Sequence, residues 1–475
     1  MRRMLFLLLL AVLTACGTLA PPPAVPENAV VNRGSANAPF LGASAPSFAQ
    51  EPVPGDWWRL YDDPRLDALV QQALAANTDL RVAAANLEKA EAGLDYADAA
   101  KEPSTSVYAA PSYGRRSAEE DLHPGKPFPN KFVYGTGVSV SYQVDLFGQI
   151  ARNINAAKAD VGAAVAARDA VRVTVVAETT RAYIDACASG REIRVAERLL
   201  ALQEKSTALT RTLVENGRAG SLDTKRSSVQ EDQVRSTLPQ LEAQHRLALY
   251  RMAVLTGQTP ADFPRDVAAC VQEPRLAAAI PVGDGAQLLR RRPDLRRAEF
   301  EVKASADRIG VVTADLYPKV SLGASLASVG ALQRGFDDDT FKFSLGPLIS
   351  WEFPDRTRTK ARIRAAGAEH EASLARFDGT VLTALKETES ALEVVSEDMR
   401  RRDILEAART KAADAARDTE RLFTLGRQGY LPVLDANRTL ISIEQNVAAA
   451  DSKLASDQVT LFLALGGGWQ ESKAH

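Results

Sequence analysis

The sequence predicts a mainly α-helical fold that also contributes strands to a transmembrane β-barrel, and three observations predict it. Two long alanine-rich stretches, 149–216 and 357–425, contain no proline, which is typical of long helices. Four shorter segments alternate apolar residues with small or polar ones, as strands do. The same order of segments occurs twice along the 475 residues, which predicts an internal duplication.

The overall composition excludes several classes of function. The formal net charge is −2, so there is no basic excess with which to bind nucleic acid. The four histidines lie far apart in the sequence and without metal-ligand spacing: His123, His245, His370 and His475. No nucleophile, general base or metal cluster assembles at a recognisable spacing. The sequence therefore predicts a protein that is not an enzyme and needs no cofactor or metal.

The N-terminus has the pattern of an export signal. Two arginines, Arg2 and Arg3, precede an apolar run over residues 5–12 that is too short to span a bilayer. The run ends in Leu-Thr-Ala-Cys, which resembles the bacterial lipobox, in which the cysteine is diacylated and becomes the new N-terminus. This pattern predicts that residues 1–15 are removed and that Cys16 carries the lipid. The alternative is an ordinary signal peptide with an incidental cysteine.

The residues after Cys16 predict a destination and a linker. The next residue is Gly17 rather than aspartate, which in lipoproteins favours the outer membrane. Residues 16–55 are rich in Pro, Ala, Asn and Ser, and we expect them to form an extended, lipidated tether.

The duplication is visible in matched segments. Thr78-Asp79-Leu80-Arg81 corresponds to Pro293-Asp294-Leu295-Arg296, and residues 213–222 correspond to 422–431. Between these segments both halves have the same order of helix, proline, two strands, long helix, turn and returning helix. This order predicts a first repeat over 56–257, a connector over 258–285, a second repeat over 286–469 and a tail over 470–475.

The predicted strands cover approximately residues 104–113, 132–144, 319–328 and 340–351. Each has one apolar face and one small or polar face, as strands of a barrel in a bilayer have. An antiparallel sheet on a soluble core is the alternative. The strands are joined by polar loops over 114–130 and 330–339, and Asp337 to Asp339 predict a solvated loop tip, or alternatively a divalent-ion site.

Four strands cannot close a barrel alone. A sheet that spans a membrane must close, because an open edge would leave backbone groups unpaired in lipid. Known barrels need at least eight strands. Several copies of the chain must therefore share one barrel, although the residues themselves do not fix the number of copies.

Long helices follow the strands in each repeat. The stretches 149–216 and 357–425 would each extend over roughly 100 Å, and apolar residues from Leu374 to Met399 recur at coiled-coil spacing. Each long helix is expected to turn at a glycine pair and to return over residues 222–256 or 431–465. The proline-containing connector should form a small belt beside the middle of these helices.

Two cysteines remain once Cys16 is modified. Cys270 lies in the connector and Cys187 near the middle of the first long helix, so the two can meet and form a disulfide in an oxidising compartment. Two buried thiols are the alternative.

Several segments in order resemble the TolC-like outer-membrane factors, in particular the NodT-type lipoprotein branch of efflux channels. The resemblance covers nearly all of the mature chain. The segments that carry it are Asp56-Trp57-Trp58, Asp63-Pro64-Arg65-Leu66, Asp145-Leu146-Phe147-Gly148, Arg291-Arg292-Pro293-Asp294-Leu295-Arg296 with Ala298-Glu299, Leu316-Tyr317-Pro318, Leu434-Asp435-Ala436-Asn437-Arg438-Thr439-Leu440 and Ala464-Leu465-Gly466-Gly467-Gly468-Trp469.

The resemblance implies a homotrimer with a twelve-stranded barrel in the outer membrane. It also implies a tunnel of twelve helices in the periplasm, which docks onto a periplasmic adaptor protein and an inner-membrane pump. The pump is usually of the proton-driven resistance-nodulation-division class. The duct itself would be passive.

The resemblance also implies a gate at the periplasmic tip. Carried over by position, Leu431 would form an apolar constriction, Asp435 a carboxylate ring and Arg438 a partner in the links that hold the gate shut. Phe423 stands where those links often have a tyrosine. The alternatives are a surface pair of Asp435 with Arg438 at i,i+3 spacing and packing of Leu431 between helices.

The turns at the tip are candidates for contact with the adaptor; they comprise Gly217, Arg218, Gly220, Gly426, Arg427 and Gly429. The alternative is that these turns only cap helices. The chain departs from the commoner family pattern at residues 351–355, where we expect Pro354 to break the strand.

Two other functions remain open for the sequence. The same fold serves as the duct of type I protein secretion, although a lipid anchor favours drug-type efflux. A periplasmic coiled-coil lipoprotein without a pore belongs to another class, and the four alternating strands argue against it.

Overall fold

A computed structural model of the protein describes residues 25–115, 117, 125–218, 220–276, 278–351 and 356–468. The chain forms two compact units, and each contains segments from both predicted repeats. Within the described residues, the sheet unit lies in 25–26, 87–164 and 298–377, and the helical unit lies in 27–86, 165–297 and 378–468. Among the described residues, no helix combines the length and the apolar character needed to cross a membrane.

The two long helices and the strands that precede them stand in the predicted order, and shorter elements are added to them. The elements are β1 (Phe48–Ala49), α1 (Pro64–Ala76), α2 (Thr78–Asp98), β2 (Ser104–Ala109), β3 (Ser112–Gly114), β4 (Lys131–Val144), α3 (Gln149–Glu215), α4 (Ser221–Arg235), α5 (Leu238–Leu255), α6 (Arg265–Ala268), β5 (Ile280–Pro281), α7 (Gly285–Arg291), α8 (Pro293–Ala314), β6 (Lys319–Ala331), β7 (Phe341–Ser350), α9 (Arg356–Thr424) and α10 (Tyr430–Ala464).

The sheet unit contains an antiparallel sheet with the strand order β2-β4-β6-β7, and β3 also pairs with β4. We predicted one strand over 104–113, but the structure has two short strands there. The interruption includes Pro111, which has no N–H group to donate to β4. The strands β2 and β7 are the edges of the sheet in the described chain.

The sheet is largely unburied in the single chain. All ten residues of β7 are exposed, and the side chains of Phe343 and Leu345 are each 84% exposed. Isolated soluble proteins rarely expose apolar surface of this kind over a whole strand. The exposure of β7 therefore argues against the alternative of an antiparallel sheet on a soluble core.

The passage from β4 into α3 is fixed by Asp145. Its carboxylate accepts hydrogen bonds from the backbone N–H groups of Ile150 (3.0 Å) and Ala151 (2.8 Å), which have no partner within the helix. Gly148 has a φ of +72°, which favours glycine at the turn.

The helical unit is organised around Trp57. Its ring is fully buried and stacks on Phe462 of α10, with ring centroids 4.5 Å apart. Asp63 caps α1, and its second carboxylate oxygen accepts a hydrogen bond of 2.7 Å from the hydroxyl of buried Tyr183 on α3. These two contacts join α1, α3 and α10 in one hydrophobic core.

Residues 29–53, which we call the strap, correct the prediction of an extended tether over 16–55. The strap packs along the helical unit because its apolar residues, among them Phe40 and Phe48, enter the core. The carboxylate of Glu389 on α9 accepts hydrogen bonds from Leu41 (2.8 Å) and Gly42 (3.0 Å). The strand β1 pairs in parallel with β5.

The returning helix predicted over 222–256 is also corrected, because the structure has two helices, α4 and α5, there. Pro239 lies in the first turn of α5, where its missing N–H group is tolerated, but a continuous helix would need that donor. The matching helix α10 is continuous, since its Pro432 already lies in its first turn.

Candidate functional site

The ends of the two long helices are built in the same way. Gly217 follows α3 with a φ of +66°, and Gly426 follows α9 with a φ of +68°. The N–H of Arg218 donates to the Leu213 carbonyl at 2.8 Å, and the N–H of Arg427 donates to the Leu422 carbonyl at 2.9 Å. Without these bonds, the two carbonyls at the helix ends would lack a partner. Glycine is needed at both positions because other residues rarely adopt this backbone conformation.

The helices α4 and α10 begin directly after these turns. Gly220 is the N-cap of α4, and its N–H donates to the Asp223 carboxylate at 3.0 Å. Gly429 is the N-cap of α10. Arg218 and Arg427 are exposed at the turns, so their positive charges are available to another molecule.

The start of α10 presents an apolar surface. The Leu431 side chain is 57% exposed, so within one chain it is not packed between helices as the alternative supposed. The rings of Phe423 and Tyr430 lie 5.2 Å apart across the turn. Tyr430 therefore lies beside Phe423, the position at which the family resemblance leads one to expect a tyrosine.

The structure separates Asp435 from Arg438. The Arg438 guanidinium donates to the side-chain oxygen of Gln203 on α3 at 2.8 Å. Within the described residues, Asp435 forms no ion pair and is exposed. The i,i+3 surface pair is therefore wrong in this structure, and Arg438 instead connects α10 to α3.

Sequence reasoning did not identify the partner of Arg438. Gln203 is only 3% exposed, and its amide donates to the Ser227 carbonyl of α4 at 3.2 Å. The hydroxyl groups of Thr207 and Ser227 form a hydrogen bond of 3.0 Å. The polar pair Gln203 and Thr207, at i,i+4 spacing on a helix with a buried face, is the signal that could have indicated this network.

The structure joins Cys187 of α3 to Cys270 by a disulfide across 83 residues of sequence. Gly190 lies against the Cys270 carbonyl, at a place where a Cβ atom would collide. His245 of α5 reaches both sides of the disulfide, with its ring nitrogens 3.0 Å from the Ala186 carbonyl and 3.2 Å from the Ala268 carbonyl.

A buried ionic cluster lies nearby and was not predicted. The Asp451 carboxylate of α10 contacts Arg191 (2.9 Å), Arg275 (2.6 Å) and Arg402 (3.3 Å). Arg191 also contacts the buried carboxylate of Glu273 at 3.1 Å. Burial, and then the charge of Glu273, raise the pKa of neighbouring Glu192, while Arg191 opposes the shift.

Some predicted sites lie outside the described residues. These include Cys16 with its signal sequence, and Pro354 at the passage from β7 to α9. At the loop between β6 and β7, Asp339 lies 3.7 Å from Arg334, and both side chains are exposed, as a solvated loop tip requires.

Comparison with known proteins assigns the chain to a family. The sequence profile of the outer membrane efflux protein family matches residues 69–258 and 285–467. Nodulation protein T of Rhizobium leguminosarum bv. viciae is 28% identical over 469 residues, with 97% of this chain and 92% of the relative covered. The toluene efflux pump outer membrane protein TtgC of Pseudomonas putida is 28% identical over 458 residues, with 94% and 91% covered.

The fold agrees with a solved channel of the same kind. The outer-membrane channel OprN is 31% identical and superimposes with a TM-score of 0.85, which covers 96% of this chain and 100% of OprN. The profile match, the relatives and this structure lead to one conclusion: the chain belongs to the outer membrane efflux protein family and is a channel protein of the outer membrane.

Proposed function

We propose that three copies of this chain form one passive duct, through which an inner-membrane pump and a periplasmic adaptor expel small molecules. The sheet supports the trimer. The outer edges of its edge strands β2 and β7 are both unpaired in the described part of the single chain, and the side chains of β7 are exposed. An apolar sheet is stable in a bilayer only when its edges pair, and three copies would bring twelve strands together if β2 and β3 count as one interrupted strand.

The assignment to efflux rests on the relatives. TtgC is described as part of a toluene efflux pump, and OprN as an outer-membrane channel. A resistance-nodulation-division pump is the class of partner that the resemblance implies. The duct would perform no chemistry, and the pump would supply the energy of transport.

Single-particle imaging of the mature protein in detergent tests the trimer. We expect particles with threefold symmetry. A second test joins the sheet edges with cysteines at Tyr108 of β2 and Ser344 of β7, treated with a bifunctional thiol reagent. The double variant should give covalent trimers on a denaturing gel, and each single variant should not. Monomeric particles and the absence of covalent oligomers would overturn the proposal.

The turns at the ends of α3 and α9 are the proposed gate and adaptor contact. Three copies of exposed Asp435 around a narrow opening would attract cations, and exposed Leu431 would form the constriction. Arg438 would hold α10 against α3 through Gln203. Asp435→Ala together with Arg438→Ala should raise single-channel conductance in planar bilayers, and unchanged conductance would reject the gate.

The remaining domain proposals concern processing and origin. Residues 1–15 would be a signal peptide and Cys16 the lipidated N-terminus, so Cys16→Ser should lose metabolic labelling by radioactive palmitate. An internal duplication would explain why the glycines that end α3 and α5, Gly217 and Gly257, are matched by Gly426 and Gly466, each 209 positions later and each with a positive φ.

A further inference from the structure

The helical unit contains a cleft of about 690 Å³ that the duct function does not require. The cleft lies where α10 ends and α8 begins, with α3 on one side and α9 on the other. The Arg292 side chain bridges the two helix ends, because its guanidinium donates to the Ala464 carbonyl at 2.9 Å. The volume is within the range of sites for drug-sized ligands, roughly 300–1,000 Å³.

The strap does not cover this cleft. On α9, Glu389 and Leu392 contact the strap at Leu41 and Gly42. The lining residues Lys386, Ser390 and Val394 occupy a different side of the same helix, since successive residues are turned by about 100°. The cleft is therefore accessible in the folded helical unit, and the Val394 side chain is 43% exposed.

Most of the cleft surface is apolar. Its walls are formed by short aliphatic side chains from three helices: Ala170, Val173, Ala391, Val394 and Leu463. Such walls would accept a hydrocarbon or aromatic body, and they provide the larger part of the binding free energy in sites of this size.

Three carboxylates line the cleft, those of Asp294, Glu387 and Asp457, together with two cationic side chains, those of Arg292 and Lys386. At one end Arg292 contacts both Asp294 (2.7 Å) and Glu387 (2.8 Å), so two negative charges face one positive charge. At the other end the lining residue Asp457 contacts Lys453 (2.6 Å), and Lys453 also contacts Asp398 (2.7 Å), which lies outside the lining. Lys386, which also lines the cleft, is exposed and can extend into solvent.

An added positive charge would stabilise the charged form of the Asp457 carboxyl group. Burial, and then its hydrogen bond with Asp398, raise the pKa of Asp457, although Lys453 opposes the shift. Arg401, which lies on α9 like Asp398, places a further positive charge near the Asp398 carboxylate. A cation in the cleft would add a positive charge beside the Asp457 carboxylate, which now has Lys453 as its ion-pair partner.

We propose that this cleft binds amphipathic organic cations, which place an apolar body between α3, α9 and α10 and a positive charge at the carboxylate ends. A passive duct needs no such site, so this inference goes beyond the proposed transport function. Binding here would give the protein a preference among the molecules that reach it.

Fluorescence polarisation with purified full-length protein in detergent tests the proposal. The probe is rhodamine 6G, an amphipathic cation, and fluorescein is its anionic counterpart. We expect saturable binding of rhodamine 6G and no saturable binding of fluorescein. Asp457→Asn and Glu387→Gln each remove one charge at little change of shape, and each should weaken rhodamine 6G binding about tenfold.

A second pair of variants separates the cleft from general adsorption. Val394→Trp fills the cleft and should abolish binding, whereas Ile404→Trp places the same ring at an exposed position of α9 outside the lining. Equal binding by all four variants, or equal binding of fluorescein, would overturn the proposal.

The oligomeric state of each variant distinguishes this inference from the duct proposal. If Val394→Trp prevents assembly while Ile404→Trp does not, the cleft is a subunit interface and the inference fails. If wild-type trimers form but bind no probe, the inference fails while the duct proposal stands.

Discussion

Three arginines converge on the carboxylate of Asp451, which is only 7% exposed. Asp451→Asn would leave these guanidinium groups without their shared counter-charge. The arginines are partly exposed and Arg191 keeps Glu273 as a partner, so the loss corresponds to charged hydrogen bonds, which typically contribute about 1.5–3 kcal/mol. We therefore expect a clearly lower melting temperature, measured by circular dichroism in detergent.

Asp414→Asn is the matched control for Asp451→Asn. Asp414 contacts Arg417, and the two side chains are 55% and 76% exposed. Exposed pairs contribute about 0–1 kcal/mol, so this variant should melt close to the wild type. Equal melting temperatures for both variants would mean that the Asp451 cluster is solvated.

Glu192 predicts a dependence of stability on pH. Its pKa is raised by burial and by Glu273, so the folded protein keeps this proton at pH values where the unfolded chain has lost it. The stability that Glu192 contributes therefore falls as the pH rises through this window. Glu192→Gln carries no charge, so we expect it to melt above the wild type at pH 8 and together with it at pH 4.

Glu197→Gln, at an exposed position of the same helix, should leave the melting curve unchanged at both pH values. A melting temperature of Glu192→Gln that equals the wild type at pH 8 would contradict a buried, disfavoured charge at Glu192.

At the scale of the elements, the glycines that end the long helices make a prediction. Gly426 has a φ of +68°, so Gly426→Ala would force alanine into a left-handed conformation at a cost of about 1–2 kcal/mol. Gly379 lies inside α9 with open space around it, so Gly379→Ala should stabilise the helix by up to about 1 kcal/mol. Thermal unfolding of the two variants should therefore shift in opposite directions, and shifts of the same sign would refute this account of the turn.

The long elements could be read from the sequence because their patterns are long. The proline-free stretch predicted over 357–425 is a helix over Arg356–Thr424, and the strand predicted over 132–144 is Lys131–Val144. The breaks at Pro111 and Pro239 were not predicted. A proline interrupts a strand or helix only where its missing N–H group would have formed a hydrogen bond, and the sequence does not show which positions need that bond.

The packing of the strap could not be predicted from the sequence, for a different reason. Phe40 and Phe48 stand in a segment whose composition resembles a linker, and only the apolar surface of distant helices gives them a place to pack. The same holds for Arg438, whose partner Gln203 is 235 residues away in sequence. The spacing of Gln203 and Thr207 within α3 can indicate a buried polar network, but it cannot identify Arg438 as the partner from another helix.

At the scale of the whole molecule, the disulfide between Cys187 and Cys270 constrains the unfolded chain over 83 residues. A disulfide that closes a loop of this kind typically contributes about 2–4 kcal/mol. Replacing both cysteines by serine should lower the melting temperature, and a reductant present during unfolding should lower that of the wild type but not that of the variant. A wild type that is insensitive to reductant, with a variant of equal melting temperature, would contradict this contribution.

The strap has a consequence for the order of events during synthesis. The hydrogen bonds from Val30 to Asp378 and from Leu41 to Glu389 each join residues 348 positions apart. At about 5–20 residues per second, the partners of the strap are made roughly 20–70 s after the strap itself. Throughout that interval Val30 and Leu41 lack the α9 surface that binds them, although β5, the partner of β1, is made earlier. Enzymes that cleave or modify the N-terminus would therefore meet a strap that is not yet held on α9. Docking of the strap then marks a chain whose second long helix is already in place.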